Sequence, residues 1–113
     1  MKMMTNREIA MAYLRCFCAG DISGLTPLLA SDLHFKGTLH QYGSSEEYLK
    51  SLKNDPPEKC GHHVLNITEG DDSVAVFYEY EKPDKVITIA QLFKIKNHRI
   101  NEVLLVFDSS GFA

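Results

Sequence analysis

The stretch Val86-Ile-Thr-Ile-Ala-Gln-Leu-Phe-Lys-Ile-Lys96 alternates along its whole length. Ile87, Ile89, Gln91, Phe93 and Ile95 fall on one side, and Val86, Thr88, Ala90, Leu92, Lys94 and Lys96 on the other. A period of two predicts a strand with one face in a core. Working outward, Lys82-Pro83-Asp84-Lys85 and Asn97-His98-Arg99 are turn sequences. They are flanked by two further alternating runs, Val74 to Glu81 and Ile100 to Phe107. Upstream, Glu69-Gly70-Asp71-Asp72-Ser73 links Val74 to one more run, His62 to Thr68. Parallel neighbours need long crossovers, so connections this short predict an antiparallel meander.

The first half reads as helix. Thr5-Asn6-Arg7-Glu8 is a capping box, behind which Ile9, Ala10, Tyr13, Leu14 and Phe17 recur at helical spacing as far as Ala19, with Gly20 placed to end the helix. Asp21 can cap a short segment holding Leu25, Leu28 and Leu29, and Thr26-Pro27 can start a fresh turn within it. Leu33, Phe35, Gly37 and Leu39 alternate with His34, Lys36, Thr38 and His40, which predicts an extended arm. A second capping box, Ser44-Ser45-Glu46-Glu47, opens a helix with Tyr48, Leu49 and Leu52 on its apolar side, ended by Asn54-Asp55-Pro56-Pro57. Helices first and sheet second is the α+β order. No repeat or linker interrupts residues 1–113, which read as one domain.

Composition narrows the function classes. With 113 residues, 44% hydrophobic and 24% charged, the chain is long enough to bury about two thirds of its unfolded surface without metal or disulfide staples. A formal charge of -3 argues against nucleic acid as partner. The longest run free of Asp, Glu, Lys and Arg is the ten residues Ile22 to Ser31, too short for a membrane span. Met1-Lys2-Met3-Met4 has no apolar run behind it, so no signal peptide is expected. Three cysteines suit reduced thiols in a cytoplasm.

Several side chains carry possible chemistry. Gln91 is a neutral amide in an apolar row; it either orients a ligand in a greasy pocket or bonds a neighbouring strand. Tyr13 lies between Ile9 and Phe17 on the first helix, either as a donor to a carbonyl or oxyanion or as a core aromatic tied to the backbone. Val74, Val76, Tyr78 and Tyr80 share a face, and either tyrosine suits a cavity or a subunit interface. Glu79, beside Phe77, suits a solvated or dimer-facing edge. Cys60-Gly61-His62-His63 lacks metal-site spacing, and adjacent strand residues point to opposite faces, so no metal is expected. His63, read on one face with Leu65 and Ile67, is a candidate acid or base, or a satisfied histidine. Cys16 and Cys18 diverge by about 200° on a helix and make no redox pair. Phosphate-binding and nucleophile-elbow motifs are lacking, and no cofactor is expected.

Taken together, the chain resembles the nuclear transport factor two-like superfamily in its SnoaL-like and ketosteroid-isomerase-like branch. The likeness rests on the first helix ending in Ala19-Gly20-Asp21, on Leu28-Leu29-Ala30-Ser31-Asp32-Leu33-His34-Phe35, and on the helix after Gly43-Ser44-Ser45. The closing runs Gln91-Leu92-Phe93-Lys94-Ile95 and Val103 to Asp108 extend it over nearly the whole chain. The resemblance implies a cone-shaped roll of cystatin-like architecture, with a curved antiparallel sheet wrapped around N-terminal helices and an apolar cavity at the wide end. It also implies a homodimer formed through the sheet. In this alignment Tyr13 matches the oxyanion-hole tyrosine and Gln91 the second oxyanion-hole acid. The proton-shuttling aspartate falls at Gly37, which has no side chain to carry a proton. The isomerase's donor side is thus kept in altered form while its base is missing.

Three readings follow. The first is a dimeric cytoplasmic domain holding a small apolar molecule, with Tyr13 and Gln91 as anchors and Phe17, Phe35, Tyr48, Phe93 and Leu105 as walls. The second is an isomerase, polyketide cyclase or dehydratase that uses His34, His40 or His63 as acid/base beside Tyr13. The third is a protein-interaction module with Tyr78 and Tyr80 on an exposed sheet face and the cavity filled.

Overall fold

Thr5 starts the first helix by the expected reciprocal pair of bonds: its hydroxyl accepts from the Glu8 N–H at 3.1 Å, and Glu8 Oε1 accepts from the Thr5 N–H at 2.9 Å. The chain is described by a computed structural model covering residues 4–56 and 60–108. Helix α1 spans Asn6–Ala19 and ends at Gly20, whose φ of 71° is the left-handed turn that glycine enters without strain. Asp21 Oδ1 then accepts from Gly24 N–H at 2.9 Å and caps α2, Ile22–Leu25. Pro27 opens a 3-10 turn, Thr26–Leu28, where its missing N–H costs nothing.

Strand β1 spans Leu29–Lys36, earlier than its alternation predicts. Leu33 and Phe35 are buried, but residues 37–40 turn back to the short strand β2, Gln41–Tyr42, and Leu39 is exposed rather than in line with them. Helix α3 spans Ser45–Asn54. Its cap is made, with Ser44 Oγ accepting from Glu47 N–H at 3.1 Å, but Glu47 reaches the Gly43 N–H at 2.8 Å, one residue upstream of the reciprocal bond of a full box. The expected stop at Asn54-Asp55-Pro56-Pro57 is described only as far as Pro56, and Met1 to Met3 lie outside the described residues.

The rest is sheet: β3 Gly61–Glu69, β4 Ser73–Glu81, β5 Val86–Lys96 and β6 Arg99–Phe107. These four form the predicted antiparallel meander. The full order is β2-β1-β6-β5-β4-β3, and β1 runs parallel to β6, so the sheet is mixed rather than wholly antiparallel. The long connection from β1 through α3 to the meander leaves room for a parallel partner. Between the pairs Leu29↔Ile100 and His34↔Glu102, β1 has residues 30–33 where β6 has only Asn101. That mismatch bends the edge of the sheet. Architecture is α+β: three helices laid against a curved, unclosed six-stranded sheet.

The concave face packs on Ile9, Ala10, Tyr13 and Leu14 of α1 through Val74, Val76, Phe93, Ile95, Ile100 and Val103. The convex face is apolar too. Register aligns Phe77, Ala90 and Val106 in one cross-strand row and Ala75, Leu92 and Leu104 in the next. Phe77, Val106 and Leu104 are 45%, 52% and 42% exposed. No helix among the described residues is long and apolar enough to cross a membrane.

Candidate functional site

The alternation of β4 and β5 aims Tyr78, Tyr80, Ile87, Ile89 and Gln91 at the concave side, where β6 adds Leu105 and Phe107 and α1 adds Tyr13 and Phe17. Together with Phe35 and Lys82 they line a cavity of about 220 Å³. A second lobe of about 230 Å³ shares Phe17, Phe35, Leu105 and Phe107 and is completed by residues 37–40, Tyr42, Tyr48 and Leu52. Both are lined mainly by apolar and aromatic side chains with few polar groups, as small-molecule sites are.

A run of neutral polar groups borders the first lobe. The Tyr78 hydroxyl donates to Gln91 Oε1 at 2.7 Å. Gln91 is also hydrogen-bonded to Tyr13, and the Tyr13 and Tyr48 hydroxyls bond each other. Tyr48–Tyr13–Gln91–Tyr78 is therefore one continuous network, with every member buried. Burial pushes the Tyr13 hydroxyl up to about 12, even though its bonds to Tyr48 and Gln91 favour the ionised form. Burial likewise raises Tyr48 and Tyr78 well above the ordinary phenol value, with neighbouring Tyr13 adding to the rise. All three are protonated at neutral pH. Since Gln91 Oε1 is taken by Tyr78, its N–H groups face Tyr13, and a phenol that accepts from an amide is a stronger donor in turn. Such a hydroxyl suits a carbonyl oxygen or a developing oxyanion.

The structure sorts the sequence candidates. Tyr13, Phe17, Phe35, Gln91 and Leu105 come together on the first lobe, and Tyr48 lines the second. Phe93 is not a wall: it is fully buried behind Tyr13, ring edge toward ring at 5.1 Å between centroids. Parity placed it on the right face but says nothing of depth. His63 is displaced from the site altogether. Leu65 is an extra residue in β3 between the pairs Val64↔Tyr78 and Asn66↔Phe77, and this bulge puts His62, Val64 and Ile67 on the concave side. His63 pairs in register with Glu79 on the convex face and is exposed. His34 is exposed on the convex side of β1. Of the three candidate histidines only His40 borders a lobe, its ring 6.3 Å from that of Tyr42. Tyr78 and Tyr80 do not lie on an exposed face, and the cavity is not filled, contrary to the premises of the interaction-module reading.

Gly37 borders the second lobe, and its N–H donates to the His40 carbonyl at 2.7 Å. A Cβ there would come within 3.0 Å of the Phe35 ring and 3.3 Å of the His40 carbonyl. The position matched to a proton-shuttling aspartate is thus closed to a carboxylate without local movement. Sequence reasoning missed Ile87, Ile89, Phe107 and Lys82 as lining residues, although parity with Gln91 or Tyr80 marks all but Phe107. It also missed that the Cys18 and Cys60 thiols are hydrogen-bonded, with Cys60 N–H donating to the Cys18 carbonyl at 3.0 Å. No three His, Cys, Asp or Glu side chains converge among the described residues.

This architecture is the nuclear transport factor two-like fold. No protein-family model matches the chain, and no curated protein does. Solved structures do. An NTF2-like protein of unknown function from Cytophaga hutchinsonii ATCC 33406 superposes with a TM-score of 0.84 at 17% identity, covering 98% of this chain and 96% of that one. A protein with a ketosteroid isomerase-like fold from Catenulispora acidiphila DSM 44928, in complex with trimethylamine, gives 0.79 at 16% identity over 94% and 89%. A SnoaL-like protein of unknown function from Burkholderia thailandensis E264 gives 0.72 at 14% over 91% and 93%. Identities this low speak for the fold and not for an activity.

Proposed function

We propose that the chain is a cytoplasmic binding protein for a small, largely apolar molecule, whose hydrogen-bond acceptor sits against the Tyr13 hydroxyl. The observation that carries this is the buried Tyr48–Tyr13–Gln91–Tyr78 network beside a cavity whose other lining, Lys82 apart, is apolar or aromatic. Buried polar groups tied to one another specify a donor without demanding a charge on the ligand. Free Cys16, Cys18 and Cys60 suit a reducing compartment. A thermal-shift screen against planar polycyclic, steroid-like and small terpenoid compounds tests the reading. A ligand at 100 times its dissociation constant adds about 2.7 kcal/mol, several degrees in Tm. The shift should shrink in Tyr13→Phe and in Gln91→Leu; a flat response across the library removes the reading.

An enzyme of the isomerase, cyclase or dehydratase type is the second reading, favoured by His40 at the border of the second lobe. It predicts that His40→Gln abolishes turnover of any ligand found while leaving its binding intact. We also infer a homodimer through the convex sheet face, supported by the two adjacent apolar rows there. Sedimentation velocity should give a dimer for the wild type and a folded monomer for Val106→Arg; a monomeric wild type at micromolar concentration overturns it.

A further inference from the structure

The concave row of β4 does not end with its tyrosines. Val74, Val76, Tyr78 and Tyr80 are followed at the same parity by Lys82, which lies in the turn closed by Lys82 N–H to the Lys85 carbonyl at 2.9 Å. Lys82 is half-buried and lines the first lobe, the one ionic side chain among the described residues that do. Gln91, at the other end, is opposite Val76 in register. The rest of β4 after Val76 runs five residues to Glu81, ~17 Å of strand, and Lys82 follows it at the start of the turn. Tyr80 and Ile87, themselves a register pair, lie between.

The two ends therefore ask for different chemistry. The network end offers only neutral donors and acceptors, so a carboxylate placed there would be stripped of water with no cation to meet it. The Lys82 end brings the one cationic residue of this lining beside apolar walls. Lys82 has a partner already, but an ammonium carries three donors and keeps capacity for a further acceptor. Resting on the binding reading above, we propose that the cavity is built for an amphipathic monoanion, a flat or extended apolar acid whose neutral acceptor lies at Tyr13 and whose anionic group lies at Lys82. Lys82 is then the residue that selects apolar acids over neutral apolar molecules of the same shape.

The test uses two fluorescent probes with the same ring system, the anionic 1-anilinonaphthalene-8-sulfonate and the neutral N-phenyl-1-naphthylamine. Both are titrated into the full chain, into Lys82→Met and Lys82→Arg, and into Leu105→Trp, which plugs the cavity. The ratio of anionic to neutral affinity should fall about tenfold in Lys82→Met, with neutral-probe affinity held within about twofold, and should persist in Lys82→Arg. In the wild type, raising salt from about 20 to about 500 mM should weaken the anionic probe several-fold and spare the neutral one. This arm needs no variant to fold. An unchanged ratio in Lys82→Met, or a salt response equal for both probes, overturns the selection while leaving the binding reading intact. If neither probe binds, or neither is lost in Leu105→Trp, the binding reading fails and this inference with it.

Discussion

Tyr78 and Gln91 lie diagonally across adjacent strands, two register pairs apart on the same face, and the 2.7 Å bond from the Tyr78 hydroxyl to Gln91 Oε1 fixes which way the amide points. Oxygen toward β4 means N–H toward α1, so a residue of the sheet dictates the polarity of a tyrosine on a helix.

Removing that amide should be costly. Gln91→Leu keeps roughly the same volume but leaves the Tyr78 hydroxyl and one side of Tyr13 without partners. At about 1–3 kcal/mol for each buried group stranded, a loss of at least about 2 kcal/mol is expected in urea denaturation. A change under about 0.5 kcal/mol would show that both hydroxyls find other partners.

Tyr13 and Tyr48 share a bond across the gap between α1 and α3. A double-mutant cycle of Tyr13→Phe, Tyr48→Phe and both together should give a coupling on the order of 1 kcal/mol. Additive losses would mean that the two hydroxyls stabilise the fold independently.

The raised tyrosines set an alkaline limit. Tyr13 is held protonated up to about 12, and Tyr48 and Tyr78 are raised as well. In the unfolded chain all three titrate near the ordinary value of about 10. Above that value the unfolded state binds fewer protons than the folded one, so stability is full below pH ~10 and falls as pH climbs toward and past 12. Tyrosinate absorbance at 295 nm should show these residues ionising together with loss of far-ultraviolet ellipticity. Ionisation of all the tyrosines near pH 10 in a still-folded chain would contradict the burial.

Gly37→Ala should destabilise, since the added methyl must displace the Phe35 ring or the His40 carbonyl. A loss of about 1–2 kcal/mol is expected from such overpacking. Equal or greater stability would mean that the turn relaxes freely.

Much of this fold is written in local pattern. The caps at Thr5 and Ser44 and the alternation of Val74 to Glu81 and Val86 to Lys96 depend on near neighbours only, and the structure follows them. What local pattern does not carry is pairing at a distance and depth. Nothing in Leu29 to Lys36 announces a parallel partner in β6. One unsignalled bulge at Leu65 reverses the facing of His63 relative to Ile67. Phe93 and Ile89 look alike in alternation, yet one backs the network and the other lines the cavity. Lys82 was hidden because a lysine beside a proline reads as turn before it reads as lining.

The parallel union of β1 with β6 also bears on how the molecule comes into being. Residues 29–36 find their parallel sheet partner at residues 100–104, so α1, made before either, has only part of its cover until that last strand has been synthesised. A chain emerging from the ribosome thus carries the apolar face of Ile9, Tyr13 and Leu14 incompletely sealed until β6 is out. Contacts this distant close slowly, and the interval before closure is when such a chain is open to aggregation or to a chaperone.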